Sequence, residues 1–138
     1  MDEPAFSGEQ DQESEKTMAA TADISINNNS AVAKTFTPSV AVANGYDYRE
    51  TSSPIAAPST LRITHVLPAA SSAANTKAGV RFTKVALNGA SQIRTGYVDI
   101  TISVPKDGVV AGDVSDMGAY VRNFLTDANI TKLLLGGF

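Results

Sequence analysis

Residues 95–104 constrain the fold most strongly, because apolar and polar side chains alternate along this segment. Successive side chains of an extended strand point to opposite faces of a sheet. One face of this strand is therefore aliphatic, and the other is polar with a single aromatic ring. Such a strand is typical of an antiparallel sheet that packs on one side and faces solvent on the other. The aliphatic face holds Val98, Ile100, Ile102 and Val104, and the polar face holds Tyr97, Asp99, Thr101 and Ser103.

Turn-forming residues divide the preceding sequence into further short strands. Residues 22–26 and 31–37 flank an asparagine-rich loop, which predicts an N-terminal β-hairpin that stops at Pro38. Asn-Gly pairs at 44–45 and 88–89 each predict a tight turn between two strands. The remaining strands are predicted over residues 40–42, 46–50, 60–66 and 80–87.

Two of these strands carry a further expectation about their side chains. Tyr46 and Tyr48 share one face, where we expect them to pack in the core or at a dimer edge. In residues 80–87 the alternation slips, and a bulge near Thr83 and Lys84 would restore it.

The period changes from two to 3.6 residues towards the C-terminus, which predicts two helices. Asp113 or Ser115 is the expected cap of the first helix and Asp127 of the second. A hairpin, several antiparallel strands and then two helices together predict an α+β fold. The apolar stripes hold Val114, Met117, Val121, Phe124 and Leu125 in the first helix, and Ile130, Leu133 and Leu134 in the second.

Two short helices are too few to cover the apolar face of such a sheet within one chain. The edge of the sheet would also stay open for pairing with another strand. Both problems are solved if two copies join edge to edge and exchange helices, which favours an obligate homodimer. The helical stripes are then predicted to lie in the core or in the dimer interface.

Acidic residues are concentrated in residues 1–17, which hold six Asp or Glu and one Lys. This segment has only Phe6 as a large apolar residue, so we expect a disordered leader followed by one domain over residues 18–138. Met18 begins a sequence that looks like a natural start. The leader is then an appended tag, a displayed peptide or a native extension, and the sequence leaves all three open.

The residue types present argue against catalysis and most metal sites. The 138 residues include no cysteine and one histidine, His65, which excludes thiol nucleophiles, disulfides and multi-histidine metal centres. No nucleophile and base can be paired, so we predict no catalytic residue and no cofactor, although carboxylate-only metal sites stay open. His65 shares a face with Leu61 and Ile63 and is predicted to be a hydrogen-bonded core residue. No apolar run is long enough to span a membrane.

The order of these elements and several short strings resemble the coat proteins of the single-stranded RNA bacteriophages, the leviviruses. The resemblance covers residues 18–138. It implies an N-terminal hairpin, a five-stranded antiparallel sheet and two helices that interlock in a dimer over one continuous sheet. The strings are Thr37-Pro38-Ser39, Ala43-Asn44-Gly45, Glu50-Thr51-Ser52-Ser53, Leu61-Arg62-Ile63-Thr64, residues 97–105, residues 120–125 and Gly136-Gly137-Phe138.

The resemblance also implies a function. Coat dimers of this family assemble into an icosahedral shell around single-stranded RNA, so the expected location is the virion, and the host cytoplasm during assembly. The inner face of the sheet would bind an RNA hairpin and repress translation. Arginines would neutralise phosphates, hydroxyls would bond sugars and bases, and Tyr97 would stack on an unpaired base. The implied RNA-binding residues are Arg62, Thr64, Arg81, Thr83, Lys84 if the bulge lies earlier, Tyr97, Asp99 and Thr101.

Asp99 departs from the family pattern, which usually has a neutral amide at this position. A carboxylate repels phosphate, although it can accept hydrogen bonds from the amino groups of cytosine or guanine. The polar face also has a simpler interpretation, because polar faces of antiparallel sheets are often merely solvated. A non-viral dimeric α+β domain that binds a small molecule on this face is therefore the alternative hypothesis.

Overall fold

The computed structural model describes residues 22–137. The predicted leader, its boundary with the following domain, and Phe138 lie outside the described residues. Within the described range six strands precede two helices, which confirms the predicted α+β class. The strands are β1 (Ile24–Asn27), β2 (Ala33–Val42), β3 (Gly45–Glu50), β4 (Ser59–Val66), β5 (Thr76–Leu87) and β6 (Ile93–Val104), and the helices are α1 (Ala111–Phe124) and α2 (Asp127–Leu135).

The six strands form one sheet in which the spatial order follows the chain, from β1 to β6. Neighbouring strands from β1 to β5 are antiparallel. Each strand therefore pairs with the one before it, as short turn-containing connections allow.

β2 does not stop at Pro38, contrary to the sequence prediction. It continues to Val42, and the register against β3 shifts between Pro38 and Val40. A bulge at this point accommodates proline, which has no N–H group for the ladder. The segments before and after Pro38 are thus one strand, and the predicted hairpin and five-stranded sheet are a single six-stranded sheet.

The bulge expected near Thr83 and Lys84 is absent from the pairing of β4 with β5. The register is unbroken from Ser59 opposite Lys84 to Val66 opposite Lys77. Strict alternation therefore puts Lys84 on the apolar face, whereas Arg81 and Thr83 lie on the polar face. The lysine is accommodated there because its ammonium reaches the carbonyl oxygen of Ala57 at 3.4 Å.

The core of the described residues centres on Phe36, Tyr48 and Leu61, which come from β2, β3 and β4. Partly buried residues including Tyr46 and Phe82 surround it, and the rings of Phe36 and Phe82 meet edge to face at 6.1 Å. The packing role expected for the two tyrosines is therefore confirmed.

His65 is exposed, so the prediction of a core histidine is wrong. It does share a face with Leu61 and Ile63, as the register requires. The ladder between β3 and β4 ends at the pair of Gly45 and Thr64, however. His65 lies beyond that pair, where β3 no longer covers it.

The helices begin at other residues than predicted. The residue before α1 is Val110, and its N–H donates to the carboxylate of Asp113 at 3.0 Å, so Asp113 stabilises the helix start from inside the first turn. The cap of α2 is Thr126, whose hydroxyl oxygen accepts from the N–H of Asn129. Gly136 ends α2 in the left-handed region at φ 72°, as expected for a glycine C-cap.

The described residues divide into two compact units. The first contains β1 to β4 and most of β5 and β6, and the second contains residues 67–76 together with the chain from Ser103 onwards. In the second unit the ammonium of Lys106 donates to the carbonyl oxygens of Ala69 and Ala70. Neither α1 nor α2 has a buried residue.

The loops after β1 and before β6 are built alike. In each, the side-chain oxygen of an asparagine accepts two backbone N–H groups, at Asn28 and at Asn88. The third residue after the asparagine has a positive φ, 60° at Ala31 and 58° at Ser91. Residues with a Cβ are strained in this region, whereas glycine is not.

Ala31→Gly and Ser91→Gly should each stabilise the protein by about 0.5 kcal/mol, because relief of strain exceeds the added entropy of the unfolded chain. Ala33→Gly is the matched control inside β2, where glycine should destabilise by about 0.5–1 kcal/mol. Urea unfolding of the three variants measures these changes. A lower unfolding midpoint for both loop variants would contradict the strain argument.

Candidate functional site on the polar face of the sheet

Four charged residues form a row across the polar face, one from each of β3 to β6. The register places Asp47 opposite Arg62, and Arg62 opposite Arg81. The hydrogen bond from Asn88 N–H to the Gln92 carbonyl closes the β5–β6 hairpin. Counting from that pair brings Asp99 opposite Arg81. We call these residues the charged row: Asp47, Arg62, Arg81 and Asp99.

Each arginine of the charged row is held by one carboxylate through two hydrogen bonds. Nε and Nη2 of Arg62 donate to the Asp47 oxygens at 2.6 and 2.9 Å. Nε and Nη2 of Arg81 donate to the Asp99 oxygens at 2.5 and 2.6 Å. Such bidentate pairs fix the plane and direction of the guanidinium group. The sequence analysis identified Asp99 but missed Asp47. The available signal was that Asp47 lies between Tyr46 and Tyr48, so its side chain points to the face opposite the two tyrosines.

These contacts keep all four groups charged. The hydrogen bonds from Arg62 lower the pKa of Asp47, and those from Arg81 lower the pKa of Asp99. The same hydrogen bonds raise the pKa of both arginines. Any stability that the aspartates contribute is present above the ordinary carboxyl pKa and is lost as the pH falls through the lowered values. Solvent screens both pairs, because the arginine side chains are 50% and 47% exposed.

Tyr97 lies beside the charged row and contacts Arg81. The guanidinium carbon of Arg81 is 4.4 Å from the centre of the Tyr97 ring, a distance at which a cation attracts an aromatic face. Tyr97 is 62% exposed, so the predicted stacking surface is accessible on this face of the sheet. Arg81 covers one face of the ring, so a base would have to stack on the other face.

A shallow depression of about 280 Å³ adjoins the charged row. One side of the depression is lined by Thr64, Gly79 and Thr101, and the other side by Arg62, Arg81 and Asp99. A Cβ on Gly79 would come within 2.9 Å of the Thr64 hydroxyl oxygen, so glycine keeps the depression open. The sequence analysis did not identify Gly79, because it began this strand at residue 80, whereas β5 begins at Thr76.

The structure therefore brings together most of the residues predicted for the polar face. Arg62, Thr64, Arg81, Asp99 and Thr101 surround one depression, and Tyr97 lies beside it. Thr83 is on the same face, opposite Thr60 of β4. Lys84 is on the other face and does not belong to this group.

Apolar surface is exposed on the opposite face of the sheet. Val98 and Ile102 of β6 are 55% and 42% exposed in the described structure. Exposed apolar patches of this kind are typical of interaction surfaces.

Most of the predicted helical interface residues are exposed as well. Met117, Val121 and Phe124 of α1 are 49%, 41% and 44% exposed. Leu133 and Leu134 of α2 are 52% and 82% exposed. Val114 and Leu125 are half-buried.

The described residues offer little for metal chemistry or membrane insertion. Between residues 22 and 137 no three His, Asp or Glu side chains are grouped so that they could hold a metal ion. Neither described helix combines the length and apolar character that crossing a bilayer requires.

The fold is shared with proteins of virus-like particles, although the sequence identities are low. No family model and no curated protein matches the sequence. The virus-like particle of bacteriophage AVE019 aligns with a TM-score of 0.63 and 12% identity over 85% of this chain and 95% of that chain. The virus-like particle of bacteriophage GQ-907 gives 0.65 and 16% over 85% and 88%. That of Beihai levi-like virus 21 gives 0.59 and 14% over 85% and 94%.

Proposed function

We propose that this chain is a capsid coat protein of a single-stranded RNA bacteriophage. The supporting observation is the fold that it shares with chains from the virus-like particles of two bacteriophages and a levi-like virus, of which it covers 88–95%. In this proposal residues 18–138 form the coat domain, and residues 1–17 are a leader outside it. The protein acts in the virion and is assembled in the host cytoplasm.

The exposed apolar surface supports a homodimer as the building unit. Apolar residues are uncovered both on β6 and along α1 and α2. A second copy that contributes its own helices and sheet edge would remove both surfaces from water, at about 25 cal/mol per Å² of apolar area. The proposed helical interface consists of Val114, Met117, Val121, Phe124, Leu125, Leu133 and Leu134.

The polar face supports contact with the packaged RNA. It combines two arginines, threonine hydroxyls and an accessible tyrosine ring, which are the groups that bind single-stranded nucleic acid. We propose that this face lines the interior of the shell and binds single-stranded RNA, including a hairpin that represses translation. The proposed role is structural, and no enzymatic step is assigned to the chain.

The purified full chain should form closed particles, because both sheet edges and the apolar surfaces need partners. Size-exclusion chromatography with electron microscopy is the test. A stable monomer or an isolated dimer at every salt concentration would overturn the capsid proposal. A dimer that binds a small molecule on the polar face would instead support the ligand-binding alternative.

A further inference from the structure

Arg81 is fixed on two sides and presents a third to solvent. A guanidinium group carries five N–H donors in a rigid fork. Asp99 occupies the edge formed by Nε and Nη2, and the Tyr97 ring covers one flat face at 4.4 Å. Nη2 uses one of its two hydrogens for Asp99, so its second hydrogen and the Nη1 group form an end-on edge outside that pair. Arg81 therefore holds two parallel donors in a defined direction.

The charged row has no net charge, because its two arginines are matched by two aspartates. A phosphate that bound Arg81 end-on would lie close to the Asp99 carboxylate and would be repelled by it. A neutral partner with two acceptors avoids this repulsion. The O6 and N7 atoms of guanine form such a pair, and arginine binds them bidentately.

The depression beside the charged row, which Arg81 itself lines, provides room for a base. Its volume is about 280 Å³, and Gly79 keeps it open. The hydroxyls of Thr64 and Thr101 line it and can bond to the base or to the ribose 2′-hydroxyl. Only an unpaired base can enter from above a sheet in this way, since the paired bases of an RNA helix lie in grooves that are poorly accessible.

We propose that Arg81, positioned by Asp99, binds the O6 and N7 edge of an unpaired guanine in single-stranded RNA. This inference deepens the proposed RNA contact and rests on it. Asp99 is a positioning residue here, and together with Asp47 it weakens attraction to phosphates. The polar face therefore recognises a base more strongly than it attracts the phosphates of the RNA backbone.

The test measures fluorescence anisotropy of labelled oligouridines of about 12 nucleotides with one central substitution. The substituted nucleotide is guanosine, adenosine or 7-deazaguanosine, which lacks the N7 acceptor. The full chain is kept below the concentration at which it assembles. We expect the guanosine oligomer to bind about tenfold more tightly than the other two.

Three variants assign the preference to its residues. Arg81→Lys keeps the charge but removes the fork, so the three oligomers should bind equally. Arg62→Lys makes the same change at the other arginine of the charged row, so it should weaken binding of all three oligomers equally and keep the guanosine preference. Asp99→Asn should lower the preference and steepen the dependence of log K on log salt by about 0.7, because it frees one cation for phosphate. Thermal unfolding confirms that each variant is folded.

The outcomes separate this inference from the function on which it rests. Equal binding of the three oligomers to the parent protein would overturn the guanine assignment and leave the RNA contact standing. Failure of all three to bind, even at low salt, would overturn both. A preference that survives Arg81→Lys but disappears in Arg62→Lys would overturn the assignment to Arg81.

Discussion

Replacing Gly45 with alanine is expected to destabilise the protein by at least about 3 kcal/mol. A Cβ at this position would lie 1.8 Å from the carbonyl oxygen of Ile63 and 2.8 Å from the Cα of Thr64. Both atoms belong to the backbone of β4, which pairs with β3 at this point. The strands would have to separate, because no rotation of a side chain can relieve the clash. Urea unfolding and the soluble yield of Gly45→Ala are the measurements.

Gly89→Ala is the matched control, since Gly89 is the glycine of the second Asn-Gly pair. A Cβ on Gly89 would meet no atom within 4 Å, so the expected change is within about 0.5 kcal/mol. Equal unfolding midpoints and yields for the two variants would show that β3 and β4 can move apart at Gly45 without cost.

These two glycines also show what sequence reasoning can and cannot predict. The Asn-Gly pairs correctly marked turns, because such pairs favour the left-handed backbone that tight turns need. In the structure, however, the positive φ belongs to Asn44 in the first loop and to Ser91 in the second. Only glycine fits at position 45, because β4 lies so close. This closeness depends on the register between β3 and β4, which the turn residues alone do not reveal.

The strands could be predicted from the local alternation of apolar and polar residues, whereas the predictions that failed depended on how the strands pair. Pro38 is a strand breaker in isolation, yet a bulge lets β2 pass it. Lys84 looked misplaced between apolar neighbours, yet the unbroken register keeps it on the apolar face at the end of the β4 ladder. His65 has the pattern of a core residue, but the ladder to β3 ends one residue before it.

The candidate site was predicted in its composition but not in its electrostatics. Alternation alone put Arg62, Tyr97 and Asp99 on one face. The partners of the arginines are set by the register across four strands, and Asp47 lies 15 residues before Arg62 in the chain. The two arginines that the family resemblance implied as phosphate contacts are each paired with an aspartate in this protein.

Phe124→Glu should abolish particle formation, because it puts a charge in the proposed interface of α1. Phe124 is 44% exposed and lies on the same stripe as Met117 and Val121. Burying the new carboxylate against a second copy would cost several kcal/mol, which weakens dimerisation by more than about 100-fold. Sedimentation velocity should show the loss of particles and a shift to slower species.

Asn123→Glu provides the matched control, since it adds the same charge one residue earlier. One residue turns a helix by about 100°, so this side chain points away from the apolar stripe. Asn123 is exposed, and a charge there should leave assembly unchanged. If Phe124→Glu assembles as well as Asn123→Glu, the stripe of α1 is not the dimer interface, and the exposed apolar residues of α2 and β6 would have to hold the copies together.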